Sequence, residues 1–358
     1  MVGAVTVKGG ALVEMNFVGY LPQPQSAGKS NYANFFGSGA LLGAKSVIYD
    51  GSSLQDSSVS PNASLWIFSN SSVSVPGSYN AVYDGTFGDT VTTGADNQMT
   101  FLQDNGVGNG TVLNLTFGSN TIFAAGADTI NTGSASTLIF AGRNDVNVHG
   151  GSGSMYFVGG SGAVSILGGS GPTTLFGSYS ANTLLEAGSG QNVLIAGAGP
   201  ENTTLVGGSG STWEFANGSG PVTMYAGNSS GSGASPAISI LVGVTGTGPE
   251  LMKTGSGNAL IGLNAAADTV IGGSGASTVL GGIGDDVYAF VKNQTEGTEV
   301  ILGFKVGKDA LVFSPGYGDK PVASETIEKV AGYGTSDVIQ LTDGTTITLI
   351  GVSHKIET

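Results

Sequence analysis

GGSGSMYFV (150–158), GGSGAVSIL (159–167) and GGSGPTTLF (168–176) follow one another without a gap, and GGSGASTVL (272–280) and GGIGDDVYA (281–289) resume the same register further on. A short fixed period is the mark of a solenoid, in which each unit is too small to bury its own apolar face and must stack on its neighbours. Each unit opens with a Gly-rich corner and continues into a short strand such as MYFV (155–158), VSIL (164–167) or NVLI (192–195). Glycine supplies the backbone conformations that such corners demand. Apolar residues alternate along each strand, so one edge of every strand can point into a narrow core.

Outward from these units the chain divides into three regions. Residues 1–120 are rich in Ser, Asn, Val and aromatics, and runs such as VTVKG (5–9) and SLWIF (64–68) read as strands outside the visible nine-residue register. Residues 121–290 carry the repeats, with 226–249 the least regular part. Asn182, Asn192 and Asn202 recur every ten residues, either as a stacked amide ladder or as turn residues, the second being the preferred reading. Residues 291–358 gain Lys, Asp and Glu, and EVILGFKVGKDALVF (299–313) and SDVIQLTDGTTITLIGV (336–352) read as a strand-rich cap with a turn at Asp343-Gly344. The expected fold is all-β: a parallel β-solenoid, β-roll-like, with a β-rich N-terminal region and a C-terminal β cap.

Composition fits that fold and removes several functions. Gly occupies 63 of 358 positions, yet 40% of the chain is hydrophobic, which argues against disorder. The net charge of −14, with only 11 Lys and Arg and no basic cluster, excludes nucleic-acid binding dominated by phosphate contacts. There is no cysteine for disulfides or thiolate metal sites. No apolar run reaches the roughly 20 residues of a spanning helix, so membrane insertion is not expected. The start, MVGAVTVKGGALVEMNFVGY, lacks the basic and continuous apolar segments of a secretory signal.

The repeat resembles the repeats-in-toxin (RTX) nonapeptide G-G-x-G-x-D-x-U-x. In that family successive turns of a parallel β-roll sandwich calcium between Asp carboxylates and backbone carbonyls. ILGFKVGKDALVF (301–313) resembles the segment closing such rolls, and DGTTITLIGV (343–352) resembles the strands before a type I secretion signal. The resemblance implies a protein outside the cell, or on the surface, of a Gram-negative bacterium.

One unit satisfies the whole pattern: Gly281, Gly282, Gly284, Asp286 and Tyr288 stand in the required places. Counting back in nines gives Ser277, Asp268 and Ala259 at the acidic position. Asp268 and Asp286 lie two units apart, on adjacent turns of one side. The resemblance implies a calcium site formed by Asp268, Gly282, Gly284 and Asp286, against the plainer reading of two turn aspartates. Asp285 reads as a solvated neighbour and Asp128 as a weaker copy of the same turn. Met155, Val164 and Thr173 occupy the acidic position of the uninterrupted units, so those coils are expected to hold without metal.

Catalytic chemistry finds little support. His149 and His354 are the two histidines and both read as turn residues. There is no nucleophile elbow and no phosphate-cradling Lys after a Gly run. Asp84, Asp89 and Asp96 form an acidic cluster that reads as strand-connecting turns, and Phe35, Phe36, Trp66 and Phe68 read as core rather than a sugar platform. The expected function is that of a secreted, non-enzymatic structural protein that associates with copies of itself in a filament, surface layer or matrix. The alternatives are an adhesin for cell-surface polysaccharide using the N-terminal region and, ranked last, a secreted carbohydrate-active enzyme.

Overall fold

The computed structural model describes residues 110–228, 237–244, 248–294 and 297–356, with shorter stretches at 46–49, 63–67, 72–75, 79–85, 88–93 and 98–102. The strand foreseen at 5–9, Asp96, and Phe35, Phe36 and Phe68 lie outside them. The described chain is all-β apart from one 3-10 turn at Pro315–Tyr317, and it folds as a parallel β-solenoid with a mixed-sheet cap at its C-terminal end. It forms two compact units, residues 1–166 and 167–358.

In the first unit, alternate strands fall into two parallel sheets. Sheet 1a holds Ser46–Tyr49, Ala63–Ile67, Tyr79–Asp84, Gln98–Leu102, Ser119–Ala124, Ser136–Ala141 and Met155–Val158. Sheet 1b holds Ser72–Val75, Thr90–Thr93, Val112–Leu115, Thr129–Asn131 and Val146–His149. The described strands between residues 63 and 115 are thus coils of the solenoid itself, although their sequence lacks the Gly-Gly-Ser-Gly corners. The inward positions, among them Leu65, Leu113, Ile122, Ile130, Ile139, Val148 and Phe157, are fully buried between the sheets.

The second unit repeats the arrangement. Sheet 2a runs through Thr173–Phe176, Asn192–Ile195, Thr212–Ala216, Ile238–Gly243, Asn258–Gly262, Ala276–Leu280, Thr298–Leu302 and Thr346–Ile350. Sheet 2b runs through Thr183–Glu186, Thr203–Val206, Val222–Tyr225, Glu250–Lys253, Thr269–Ile271, Val287–Phe290 and Ala310–Phe313. Corners of successive coils press backbone on backbone: a Cβ on Gly282 would lie 1.9 Å from the Asn264 carbonyl oxygen, and one on Gly284 1.7 Å from that of Ala266. The Gly periodicity therefore reflects coil-on-coil contact as well as turn geometry.

The parallel order ends at Thr346–Ile350. That strand pairs antiparallel with Gly334–Leu341, which pairs antiparallel with Val322–Val330. Asp343 and Gly344 (φ 93°) make the foreseen turn. Asp343 also accepts hydrogen bonds from the Tyr317 hydroxyl at 2.5 Å and the Asn293 N–H at 3.2 Å, which ties the hairpin to the coils. The outermost strand carries Glu325, Glu328 and Lys329, charges that discourage a further strand from adding to that edge.

Candidate functional site

Two features stand out: a row of acids inside the second unit, and the contrast between the outer faces of the sheets.

The first inward position of each strand in sheet 2b aligns Thr183, Thr203, Val222 and Glu250, and one residue before the next strands come Asp268, Asp286 and Asp309. Each aspartate bridges two coils. Asp268 accepts the Glu250 N–H at 2.9 Å on Oδ1 and the Asn264 N–H at 3.1 Å on Oδ2. Asp286 accepts the Asp268 N–H at 3.1 Å and the Gly282 N–H at 3.2 Å. Asp309 accepts the Asp286 N–H at 3.1 Å and the Lys305 N–H at 2.8 Å. The turn around Asp128 obeys the same rule, with Thr111 and Gly126 as donors at 3.1 and 3.2 Å. The repeat aspartate is an internal clamp that satisfies amides of its own turn and of the preceding coil.

The foreseen pairing of Asp268 with Asp286 on adjacent turns is therefore present, but the two carboxylates face the core, each 1% exposed, and every oxygen receives a backbone N–H. The Gly282 and Gly284 carbonyls accept the Lys305 ammonium, at 2.6 and 3.5 Å. The four residues foreseen as a calcium site are thus engaged by donors of the chain itself. No group of three or more His, Asp or Glu among the described residues is arranged to hold a metal. Asp285 is exposed, as foreseen.

Three buried glutamates were missed in the sequence. Glu250 lies eighteen residues before Asp268, one further double step of the same count. It accepts the Asn264 amide at 2.9 Å, and burial together with the Asp268 charge pushes its pKa up to about 8. Asp268 itself is pushed up to about 6, mainly by burial, against the lowering effect of its two backbone donors. Glu299 follows Thr173, Asn192, Thr212, Ser239, Ala259 and Ser277 in the inward row of sheet 2a, with Ile347 beyond it. Burial raises it to about 7 although Ser277 donates to its Oε2. Glu214 stands between Leu194 and Leu241 in the aliphatic column of sheet 2a, fully buried, and neither of its oxygens has a hydrogen-bond partner. Burial holds its pKa well above the usual carboxylate range.

The outer faces differ in chemistry. On sheet 1b the outward columns read Ser72, Thr90, Val112, Thr129, Asn147 and Ser74, Thr92, Asn114, Asn131, His149. Asn131 donates to Asn114 at 2.7 Å and meets His149 Nδ1 at 2.9 Å, so His149 joins an amide ladder. On sheet 1a one outward column is aromatic: Tyr83, Phe101, Phe123 and Phe140 stack at 4.6, 4.9 and 5.3 Å between ring centres, nearly parallel. On sheet 2a the outward columns read Thr174, Val193, Trp213, Ile240, Leu260, Thr278, Val300, Thr348 and Phe176, Ile195, Phe215, Val242, Gly262, Leu280, Leu302, Ile350. All are solvent-accessible, and none is charged.

The Asn182/Asn192/Asn202 series is split by the coil geometry. Asn182 and Asn202 are exposed corner residues beside sheet 2b, whereas Asn192 is buried in sheet 2a, where it accepts from Thr173 at 2.8 Å and donates to Gly190 at 2.7 Å. Asp84 is likewise buried and accepts from Thr111 at 2.8 Å. Asp89 is 1% exposed, so neither is displayed for glycoside chemistry.

No protein family, curated protein or solved structure matches the chain. No helix among the described residues is long and apolar enough to cross a membrane.

Proposed function

We propose that the protein is a non-enzymatic structural subunit that associates with copies of itself through the outer face of sheet 2a. The observation that carries this reading is the uncharged, apolar outer face of sheet 2a on a chain of net charge −14. Exposed apolar patches of more than a few hundred Å² are uncommon on monomers. Eight strands about 4.8 Å apart and four residues wide give sheet 2a a flat footprint of about 440 Å². Facing a second copy doubles this to about 880 Å², in the range of weak, transient protein–protein contacts. A copy of the same face is the complementary partner, because neither surface buries a charge on contact.

Polysaccharide binding is favoured less. Stacking on a sugar needs open ring faces, but the rings of the Tyr83 column cover one another's faces and turn their edges outward. The clamped acids are enclosed between sheets, which suits stabilisation of the coils better than acid–base chemistry on a substrate. The likeness of the nonapeptide and of residues 301–313 to secreted β-rolls supports an extracellular or cell-surface setting, reached by type I secretion, in a filament, surface layer or matrix.

Light scattering coupled to size exclusion tests the association. The mass of the full chain is expected to rise with concentration. Trp213→Asp with Leu260→Asp, both at exposed positions, places charges in the contact at about 3–5 kcal/mol and weakens association at least about 100-fold with unchanged circular dichroism. A wild-type chain that stays monomeric at its solubility limit, or association indifferent to the two aspartates, refutes the proposal.

A further inference from the structure

The acid row of sheet 2b ends at a lysine. At the second position of successive turns stand Asn264, Gly282 and Lys305, each giving its backbone N–H to the aspartate four residues on. Lys305 replaces the small residue of the repeat, and its side chain runs back across one coil. There its ammonium meets the carbonyl oxygens of Gly282 at 2.6 Å and Gly284 at 3.5 Å. The turn that carries it, Gly303 to Asp309, is folded for this: Gly303 and Gly307 adopt φ of 83° and 82°, and the Lys305 carbonyl accepts the N–H groups of Lys308 and Asp309 at 3.0 and 2.9 Å.

We infer that Lys305 is a tethered cation for the Gly282–Gly284 turn, so that the last repeat corner closes on the chain's own ammonium and not on a free metal ion. Carbonyl oxygens in a Gly-rich corner attract a cation, and an ammonium offers three donors with one positive charge. The surroundings call for that charge. Asp285 is exposed on the same turn, and Asp286 and Asp309 lie buried beneath it. Burial raises the Asp286 pKa, the Asp309 charge adds to the rise, and the Lys305 charge opposes it. In the turn one coil earlier Asn264 holds the corresponding place, and its side-chain amide donates to the Gly248 carbonyl at 3.4 Å, so a neutral donor stands there where the last turn uses a charged one. The inference does not depend on self-association: it concerns a corner of the coil, not the sheet face.

Hydrogen exchange on the full chain tests it, reading the amides of residues 282–287. Lys305→Met keeps the length of the stem and removes the charge, and Lys305→Arg keeps the charge. A hydrogen bond to a charged group is worth about 10- to 100-fold in a local opening equilibrium. Protection in the Met variant is therefore expected to fall by that factor, while the Arg variant stays within about threefold of wild type. Calcium at millimolar concentration is expected to restore protection in the Met variant and to leave wild type unchanged. Equal protection in the Met variant and wild type overturns the inference. So does a calcium response in wild type as large as that of the Met variant.

Discussion

Replacing Glu299 by Gln tests whether the solenoid interior holds its acids in the protonated form. Glu299 is 3% exposed; Ser277 donates to Oε2, and Oε1 has no partner. Burial lifts its pKa from 4.5 to about 7. Below about pH 4.5 the folded and unfolded chains both hold the proton, and the side chain contributes its full stability. Between 4.5 and about 7 the unfolded chain has lost the proton that the folded chain keeps, so stability falls by about 1.4 kcal/mol per pH unit. Above about 7 the loss levels off at about 3 kcal/mol. Gln keeps the shape and an acceptor for Ser277 but has no proton to lose. The variant is thus expected to gain on wild type by about 3 kcal/mol between pH 4 and pH 8. Stacked coils open piecemeal, so the measurement is hydrogen exchange at Ala276–Leu280 and Thr298–Leu302, corrected for intrinsic rates at each pH. Glu250 and Asp268 titrate in both proteins and cancel in the difference. A difference that stays flat from pH 4 to 8 means that Glu299 ionises near its ordinary value, and the reasoning fails.

Two further substitutions probe packing. Glu214→Met replaces an acid without hydrogen-bond partners in an aliphatic column by an apolar side chain of similar length, and is expected to raise the denaturant midpoint by the equivalent of about 1–4 kcal/mol; a lowered midpoint contradicts the assignment. Gly284→Ala forces a Cβ against the Ala266 carbonyl and is expected to cost about 3 kcal/mol or more, seen as a lowered thermal midpoint. A substitution there that leaves the midpoint unchanged shows that the corners are looser than the coil spacing indicates.

The fold was legible because the corner and the strand repeat together, and only stacked coils bury such short strands. The orientation of the aspartates was not. Asp268 and Asp286 stand at the calcium-binding position of the resembling repeat, but the same spacing serves a carboxylate turned inward onto N–H groups, and spacing does not report which way a side chain turns. Glu250 was accessible to the same arithmetic, one double step before Asp268. Lys305 and Asp309 were hidden by the longer turn, since Asp309 follows Asp286 by 23 residues and not by 18. The coils before residue 115 escaped notice because their corners are not built on Gly-Gly-Ser-Gly, while their inward alternation, as in Val73 and Val75, is the same.

The surface chemistry emerges only at the period of a whole coil. Successive nine-residue units go to opposite sheets, so read one after another they mix two columns that never touch. Separated by coil, Tyr83, Phe101, Phe123 and Phe140 form one stack, and Thr92, Asn114, Asn131 and His149 line the opposite sheet. The same separation in the second unit clears the outer face of sheet 2a of charge and leaves Glu186 and Lys253 on the outer side of sheet 2b. The outermost strand of the cap, Val322–Val330, carries Glu325, Glu328 and Lys329, which discourage growth by strand addition. On the proposed reading, copies therefore meet laterally through the uncharged outer face of sheet 2a and not by strand addition at that edge.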